Sequence, residues 1–365
     1  MPIRHRGALA VALALLASAT RLAAQQTPAG VVLKSGAAEI TLNGRVHTQF
    51  NTTSVDDEPA TLMELRRLRL EVTVRVNDVV GGRIQPDFAP GNRVVMKDAY
   101  LRLTFDPAFE ILAGQANRPF SPIHLTSSNR ILPIERGVRI RGLDDAWDEY
   151  NLVSGLGYAD RDVGLQVLGS PRGAPLGLSY QAGWFNGPAR GETGSESTYQ
   201  LGARLAIHPL ERLRVGAAWS SRDFVLADSL AVPGGLERIE RGSAWEVDVE
   251  LGAYERPGPH LVAEAAFGDF DPHADARFFG AQAWLAYRTD SVGTKISAIE
   301  PVFRVSYGDP DVDGDAGVEG GGTLLTPGIN IYLGGLNRVM FNWDFWNPLS
   351  GRSENGFKAQ FQLAF

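Results

Sequence analysis

Leu65–Asn77 reads LRRLRLEVTVRVN, and this stretch decides the fold class. Every second residue from Leu68 to Val76 is leucine or valine, and polar or charged residues occupy the positions between them. Alternate side chains of a β-strand point to opposite faces, so this strand has one apolar and one charged face. Such a strand is typical of a sheet that separates lipid from a water-filled interior.

The same period-two pattern recurs along the rest of the chain, including its last ten residues. Most of these segments have about 9–13 residues, and a tilted strand needs about 9–11 residues to cross a bilayer. The pattern predicts sixteen strands, over residues 44–53, 64–77, 79–90, 93–105, 109–118, 161–170, 176–186, 197–207, 212–222, 243–254, 259–270, 277–288, 297–308, 322–333, 336–347 and 356–365.

The lengths of the connectors alternate as well. Those after the second, fourth, eighth, tenth and fourteenth predicted strands are short, whereas those after odd-numbered strands tend to be longer. Short turns on one side of the membrane and long loops on the other are typical of outer-membrane barrels. We therefore predict an all-β fold: a transmembrane antiparallel β-barrel of about 16 strands. The loop after strand 5, with about 40 residues, is long enough to suggest a function of its own.

A soluble β-sandwich or propeller is the alternative, because it also has period-two strands, with the apolar face turned towards a dry core. The distribution of aromatic residues argues against it. Aromatic side chains occur near the ends of the apolar faces, where a membrane barrel has its interfacial girdles. These residues are Trp184, Tyr254, Phe279, Tyr287, Tyr307, Trp343 and Phe345.

The N-terminus has the three parts of a secretory signal peptide. Arg4 and Arg6 precede a nearly continuous apolar stretch, and small residues lead to a cleavage-like site before Gln25. A short membrane anchor or a buried helix is the alternative, but the apolar stretch is too short to span a bilayer. We predict a cleaved signal peptide over residues 1–24, a periplasmic segment over 25–42 and one barrel domain over 43–365.

Composition excludes several classes of function. The chain has no cysteine, which removes disulfide scaffolds and thiolate metal sites. Its net charge is −7, and removal of residues 1–24 takes away three arginines and no acid, which leaves −10. A chain this acidic lacks the broad basic surface that nucleic-acid binding needs. We expect no nucleic-acid partner.

Several short motifs, in order along the chain, resemble the phosphate-selective porins O and P of Gram-negative outer membranes. They include LRRLRLEVTVRV, KDAYLRLTF, GQANRPFSP, LTSSNRILPIERG, YQAGWFNGP and LTPGINIYL. The resemblance implies a sixteen-stranded barrel, usually a homotrimer, whose long loop after strand 5 constricts the pore. The terminal Phe365 resembles the signal that the outer-membrane assembly machinery reads.

Two groups of arginines are candidates for lining the pore and selecting anions. Arginine suits phosphate and carboxylate because its planar fork donates two parallel hydrogen bonds. The first group lies on the charged face of one strand, the second lies in the long loop, and three further arginines on other strands could extend the lining. The groups are Arg67, Arg69 and Arg75; Arg118, Arg130, Arg136, Arg139 and Arg141; and Arg45, Arg102 and Arg204.

Two observations leave weak selectivity open. Acidic residues such as Glu246, Asp248 and Glu250 share the inward phase of their strand, and the chain has 31 arginines against 4 lysines, which could reflect composition alone. The sequence predicts an outer-membrane porin for passive diffusion of small anions, with phosphate as a candidate. A general, weakly selective diffusion porin and, less favoured, a secreted β-rich binding protein are the alternatives.

We expect no enzymatic activity, no cofactor and no metal site. No serine lies in a G-x-S-x-G elbow, and the six histidines lack metal-ligand spacing. An outer-membrane hydrolase would need a nucleophile with a nearby base, and no convincing set is present. The acidic segment 309–319 begins like a calcium loop, but Gly320 occupies the position of the bidentate acid. Weak binding of divalent cations there stays open.

Overall fold

The computed structural model describes residues 30–36, 38–55, 58–89, 91, 93–143, 145–187, 198–225, 239–314 and 316–365. The predicted signal peptide lies outside this part of the chain. The described residues form seventeen strands: β1 (Val31–Ser35), β2 (Ala38–Val55), β3 (Glu58–Arg75), β4 (Val80–Asp87), β5 (Val95–Asp106), β6 (Phe109–Asn117), β7 (Arg161–Gly169), β8 (Ser179–Phe185), β9 (Gln200–Leu210), β10 (Leu213–Val225), β11 (Ile239–Leu251), β12 (Gly258–Asp271), β13 (Ala276–Arg288), β14 (Ala298–Asp309), β15 (Gly322–Gly334), β16 (Asn337–Pro348) and β17 (Glu354–Ala364).

Sixteen of these strands close into a barrel. Each strand from β2 to β17 pairs antiparallel with the next, and β17 pairs with β2. At the closure, Gly44 and Phe365 exchange two backbone hydrogen bonds, of 2.8 and 3.1 Å. The predicted strand number and antiparallel closure are confirmed. The short β1 pairs with the first residues of β2, so β2 begins at Ala38, before the predicted boundary at residue 43.

The first hairpin is longer than expected. The sequence pattern predicts a connector of about ten residues there, but β2 continues to Val55 and β3 begins at Glu58. The reason is a β-bulge, because the register shifts between His47 and Thr48 and leaves Arg66 without a partner residue in the ladder. Because of the extra residue, the apolar and polar positions before the bulge have the opposite parity to those after it. The period-two pattern therefore breaks in the sequence, although the strand continues.

The apolar rows point outwards and the polar rows inwards. Leu70 is 38% exposed and Phe361 62%, whereas Arg67 is 3% exposed and Gln360 is fully buried. A closed sheet with this arrangement presents its apolar side to lipid, so a soluble sandwich is wrong. Most of the expected interfacial aromatics, such as Trp184 at 60% exposure, also lie on the outer surface.

Tyr254 was wrongly assigned to the aromatic girdle. β11 ends at Leu251, and Gly252 follows with a φ of 101°, a left-handed conformation that ends the alternation. The Tyr254 ring therefore turns inwards. Its centroid lies 4.3 Å from that of His260, and it packs against the apolar cluster around Ile123.

The segment 118–160, between β6 and β7, lies inside the barrel. It contains two short helices, α1 (Pro122–Leu125) and α2 (Glu149–Gly155). None of the helices in the described part of the chain is long and apolar enough to cross a membrane. We call residues 118–160 the inner loop.

Three apolar clusters attach the inner loop to one half of the barrel wall, formed by β10–β16. In one cluster, Ile123 and Leu132 pack against Trp284 of β13. A second cluster joins α2 to β10–β13, and a third joins Val138 and Ile140 to β15 and β16. The packed core of the molecule is therefore the contact between loop and wall. Apart from Val55 at the end of β2, which packs against the third cluster, the inner faces of β2–β9 do not contribute to these clusters and border the remaining space.

We predict that Val72→Arg destabilises the barrel, because a cation on the lipid-facing side loses its hydration; the cost is about 2–4 kcal/mol at the bilayer midplane and falls towards the interfaces. The matched control is Thr73→Arg on the next residue, which faces the lumen and borders a cavity. Denaturant titration of folding into lipid vesicles measures both free energies of unfolding. Equal costs for the two variants would contradict the assignment of the faces.

Candidate functional site

A cavity of about 220 Å³ lies between the inner loop and the inner faces of β2–β7. Eight basic residues and three acidic residues line it, so its lining carries five more positive than negative charges. The basic residues are Arg45, Arg66, Arg67, Arg69, Arg83, Lys97, Arg136 and Arg161, and the acidic residues are Glu71, Asp98 and Asp160. We call this space the basic cavity. In a chain with net negative charge, its composition makes it the candidate site for anions.

Two β-bulges add cations to the basic cavity. The register shift in the β2–β3 pair leaves Arg66 unpaired, and a shift between Gln85 and Pro86 leaves Lys97 of β5 unpaired in the same way. Strict alternation would turn both side chains towards lipid, since Arg67 and Asp98 beside them face inwards. A bulge redirects the side chain of its extra residue, and here it brings both cations into the lumen.

Glu135 of the inner loop joins the loop to the basic strands. Its carboxylate accepts hydrogen bonds from Arg66, at 2.6 and 3.0 Å, from Arg67 at 3.2 Å and from Gln49 at 2.9 Å. Burial by itself would raise the pKa of Glu135, but the charges of Arg66 and Arg67 outweigh it and hold that pKa well below its usual value. The resulting stabilisation is present above the usual carboxyl pKa and is lost as the pH falls towards the folded-state value.

Most arginines of the cavity already have a carboxylate partner. Arg69 lies 2.6 Å from Asp87, and Arg161 lies 2.5 Å from Asp98. Arg45 is 3.5 Å from Glu71 and also donates to Ser127 and Ser128 of the inner loop, at 3.1 and 2.9 Å. These pairs hold the guanidinium groups in place. They also reduce the positive charge that these arginines can offer to a solute.

Arg136 and Lys97 differ from the paired arginines. Arg136 donates to the backbone carbonyls of Ile123 and Thr126, at 2.9 and 2.6 Å, and these groups carry no net charge. Within the described part of the chain, no carboxylate oxygen lies within 4.0 Å of the charged nitrogens of Arg136 or Lys97. The excess positive charge of the cavity therefore centres on these two residues.

Two loop residues at the cavity have settled charge states. Burial lowers the pKa of His124 to about 3, so its ring, which stacks on Tyr150 at 4.1 Å, is neutral at physiological pH. Burial would raise the pKa of Asp160, but Arg161 and Lys97 lower it to about 2. Asp160 is therefore ionised, and the surplus of five positive charges already includes it.

The structure brings together three of the eight arginines proposed from sequence: Arg67, Arg69 and Arg136. Arg45, which the sequence suggested as an extension of the pore lining, also borders the cavity. Sequence reasoning missed Arg66, Arg83, Lys97 and Arg161. Arg83 and Arg161 belong to predicted strands and could have been included from their phase, whereas the two bulged residues leave no signal in a period-two pattern.

The other five proposed arginines lie outside the basic cavity. Arg75 is exposed at the end of β3, and Arg118 is buried, where it donates to Gln200 and to the carbonyl of Ala159, both at 2.6 Å. Arg130 pairs with Glu255 and Arg139 with Glu64, both at 2.6 Å, and Arg141 borders a cavity of about 750 Å³ on the other side of the inner loop.

The acidic wall that favoured weak selectivity is largely buried, by ion pairs with Arg204 and by contact with the inner loop. Glu246 and Asp248 are at most 5% exposed and bind Arg204, at 2.8 and 2.5 Å. Glu264, also buried, accepts a hydrogen bond of 2.7 Å from Ser121 of the inner loop. These carboxylates therefore face protein rather than the open lumen, and they do not balance the basic cavity.

In the acidic segment 309–319, carboxylates accept hydrogen bonds from the backbone of the same segment. Asp311 accepts hydrogen bonds from the backbone of Ala316 and Val318, at 3.0 and 3.3 Å. In the described ranges, no group of three or more acidic or histidine side chains is arranged to hold a metal ion. Divalent binding there stays a hypothesis from sequence.

An antiparallel barrel with an apolar outer surface and a long loop folded into a charged interior defines the class of outer-membrane porins. Within this class, the family model described as phosphate-selective porin O and P matches residues 40–229, which are 190 of the 365 residues. The chain belongs to this family, and it forms a channel in the outer membrane.

Solved structures have the same fold. The anion-selective porin from Comamonas acidovorans matches with a TM-score of 0.63 at 13% identity, over 90% of this chain and 100% of that one. Salmonella typhi OmpF, in complex with daunomycin, matches with a TM-score of 0.61 at 14% identity, over 91% of this chain and 100% of that one. The trimer form of Vibrio cholerae OmpT matches with a TM-score of 0.53 at 12% identity, over 90% of this chain and 100% of that one. No curated protein matches the chain.

We predict that Glu135→Gln loosens the inner loop, because two arginines lose their buried carboxylate, a change that typically costs about 3–5 kcal/mol. Trypsin cleavage after Arg136, Arg139 and Arg141 in the folded barrel measures the loosening and should become faster. The control Glu255→Gln removes the partly exposed pair with Arg130, which is worth about 0–1 kcal/mol. Equal cleavage rates in both variants would mean that Glu135 does not hold the loop.

Proposed function

We propose that this porin forms a water-filled channel for passive diffusion of small anions, with phosphate as the candidate solute. The observation that supports this is the basic cavity, whose lining has eight basic and three acidic side chains beside the inner loop. A solute that passes the loop on the open side of the barrel meets this surplus of positive charge. No covalent step is required, and we propose that the protein is not an enzyme.

The chemistry of the cavity suits an oxyanion. Its volume of about 220 Å³ corresponds to roughly seven water molecules at ~30 Å³ each, which is enough for a phosphate with part of its hydration shell. Guanidinium groups donate two parallel hydrogen bonds to such an anion. The hydroxyl groups of Ser127 and Ser128 border the same space and add neutral donors.

A general diffusion porin with weak selectivity is the second candidate. It is favoured by the ion pairs of Arg45, Arg69 and Arg161, which neutralise part of the lining. The two candidates differ in one measurable quantity, the ratio of anion to cation permeability. The reversal potential in a potassium chloride gradient across a planar bilayer gives this ratio directly.

We predict that Lys97→Gln combined with Arg136→Gln lowers the chloride-to-potassium permeability ratio by about threefold or more, because it removes the uncompensated charge at short range. It should also weaken block by phosphate. The control is Arg75→Gln with Arg141→Gln, which removes the same net charge outside the cavity. Lys97→Gln alone leaves the loop contacts of Arg136 intact and should act in the same direction. A cation-preferring wild type would refute anion selectivity.

We also propose the route of export and the assembly state. A cleaved signal peptide over residues 1–24 fits the export of an outer-membrane protein. Phe365 is half exposed on the outer surface after β17, and this exposure supports the proposal that the assembly machinery recognises it. The homotrimer is supported by the resemblance and by the trimer form of a protein with the same fold.

Native mass spectrometry of the protein extracted from outer membranes tests both proposals. We expect a subunit that begins at Gln25 and a complex of three copies. A subunit that keeps residues 1–24 would contradict cleavage, and a single copy under mild detergent extraction would contradict the trimer.

A further inference from the structure

A second cavity lies on the periplasmic side of the basic cavity. Its volume is about 380 Å³, and it is bordered by Pro107, from the two-residue turn after β5, and by Ser170, from the connector after β7. Short turns mark the periplasmic end of such barrels. Arg102, Arg204 and Arg214 also line it. Each of these arginines pairs with a carboxylate, Arg102 with Glu110, Arg204 with Glu246 and Asp248, and Arg214 with Glu250. This lower cavity therefore lacks the surplus charge of the basic cavity.

Leu125 separates the two cavities. Among the described residues, it borders both the basic cavity and the lower cavity, and the two linings share no other residue. On the barrel wall, Arg83 borders the basic cavity and a third cavity of about 220 Å³, and Arg102 borders that third cavity and the lower one. The boundaries between these cavities are thus lined by an apolar side chain on the loop and by two partly exposed arginines on the barrel wall.

The position of Leu125 is well defined. It ends α1, and the carbonyl groups of Ile123 in this helix and of Thr126 directly after it accept hydrogen bonds from Arg136. The side chain of Ile123 is fully buried against the barrel wall, whereas that of Leu125 is only partly buried and belongs to none of the apolar clusters. The same helix therefore uses one aliphatic residue for packing and presents another to the lumen.

We propose that Leu125 is the residue that sets how strongly hydrated anions pass from the basic cavity to the periplasmic side. This inference rests on the proposed anion channel and specifies its selectivity. An anion between Leu125 and the two arginines replaces part of its hydration with guanidinium hydrogen bonds on one side only. On the side of Leu125 it loses water without gaining a donor, which is costly for a polar group. Apolar constrictions act on permeation in this way.

The cost differs between anions. Phosphate has several oxygens that hold water strongly, whereas chloride is smaller and more easily dehydrated. Leu125 therefore lowers the permeability of phosphate relative to chloride, while the basic cavity attracts both. Different residues then control the two steps. Arg136 and Lys97 control binding of the anion in the basic cavity, and Leu125 controls its exit to the periplasmic side.

The test compares Leu125→Ser, Leu125→Ala and the volume-conserving control Leu125→Met in the full-length channel. Bi-ionic reversal potentials with inorganic phosphate on one side and chloride on the other give the permeability ratio. We expect the phosphate-to-chloride ratio to rise by about threefold for serine, less for alanine, and to stay unchanged for methionine. Leu125→Trp should reduce the single-channel conductance.

A ratio that is the same in wild type and Leu125→Ser overturns the inference, whatever happens to the conductance. Misfolding does not confuse the result, because Leu125 is outside the apolar clusters and channel insertion itself reports a folded barrel. The proposed function is tested separately by the potassium chloride gradient. Anion preference with an unaltered phosphate ratio would leave the proposed function intact and remove only the role of Leu125.

Discussion

The hydrogen bonding of the backbone in lipid is the constraint on which this structure depends. In hydrocarbon no water is present to satisfy an unpaired N–H or C=O group, so a sheet that spans the membrane must close on itself. Here closure is made between β17 and β2. At this junction the ring of Phe365 packs over Gly44, and a Cβ atom there would lie 2.3 Å from the ring and force it to shift. Once closed, the sheet leaves a lumen that its own inward side chains cannot fill.

The inner loop divides that lumen. Its apolar residues pack against β10–β16. Beside this contact, Glu264 of β12 is buried under the loop, and Glu246 and Asp248 of β11 are buried against Arg204. The polar edge of the loop faces β2–β7, where Glu135 binds Arg66 and Arg67. The loop thus removes one charged wall from the solute path and leaves the other accessible. The charge that a solute meets is therefore decided by where the loop packs, more than by the composition of the strands.

Much of the barrel could be predicted from the sequence, and for a local reason. Side-chain direction in a strand depends only on the parity of the residue number, so the alternation from Leu68 to Val76 identifies the lipid-facing residues without any knowledge of the partners. The prediction of side-chain direction failed where the regular alternation of the strand is interrupted. Arg66 and Lys97 lie at bulges, and Tyr254 follows a glycine with positive φ; the pattern carries no sign of either feature.

By itself, the sequence determined the all-β class, the sixteen-stranded closure and the face of each regular strand, because these follow from period-two patterns and from backbone hydrogen bonding in lipid. Only the tertiary structure decided which charges share a cavity. Arg136 and Lys97 are far apart along the chain, and so are Arg75 and Arg141; the first pair meets at the basic cavity and the second pair does not. Packing of the inner loop against the far wall makes that difference, and long-range packing is not encoded in any local period.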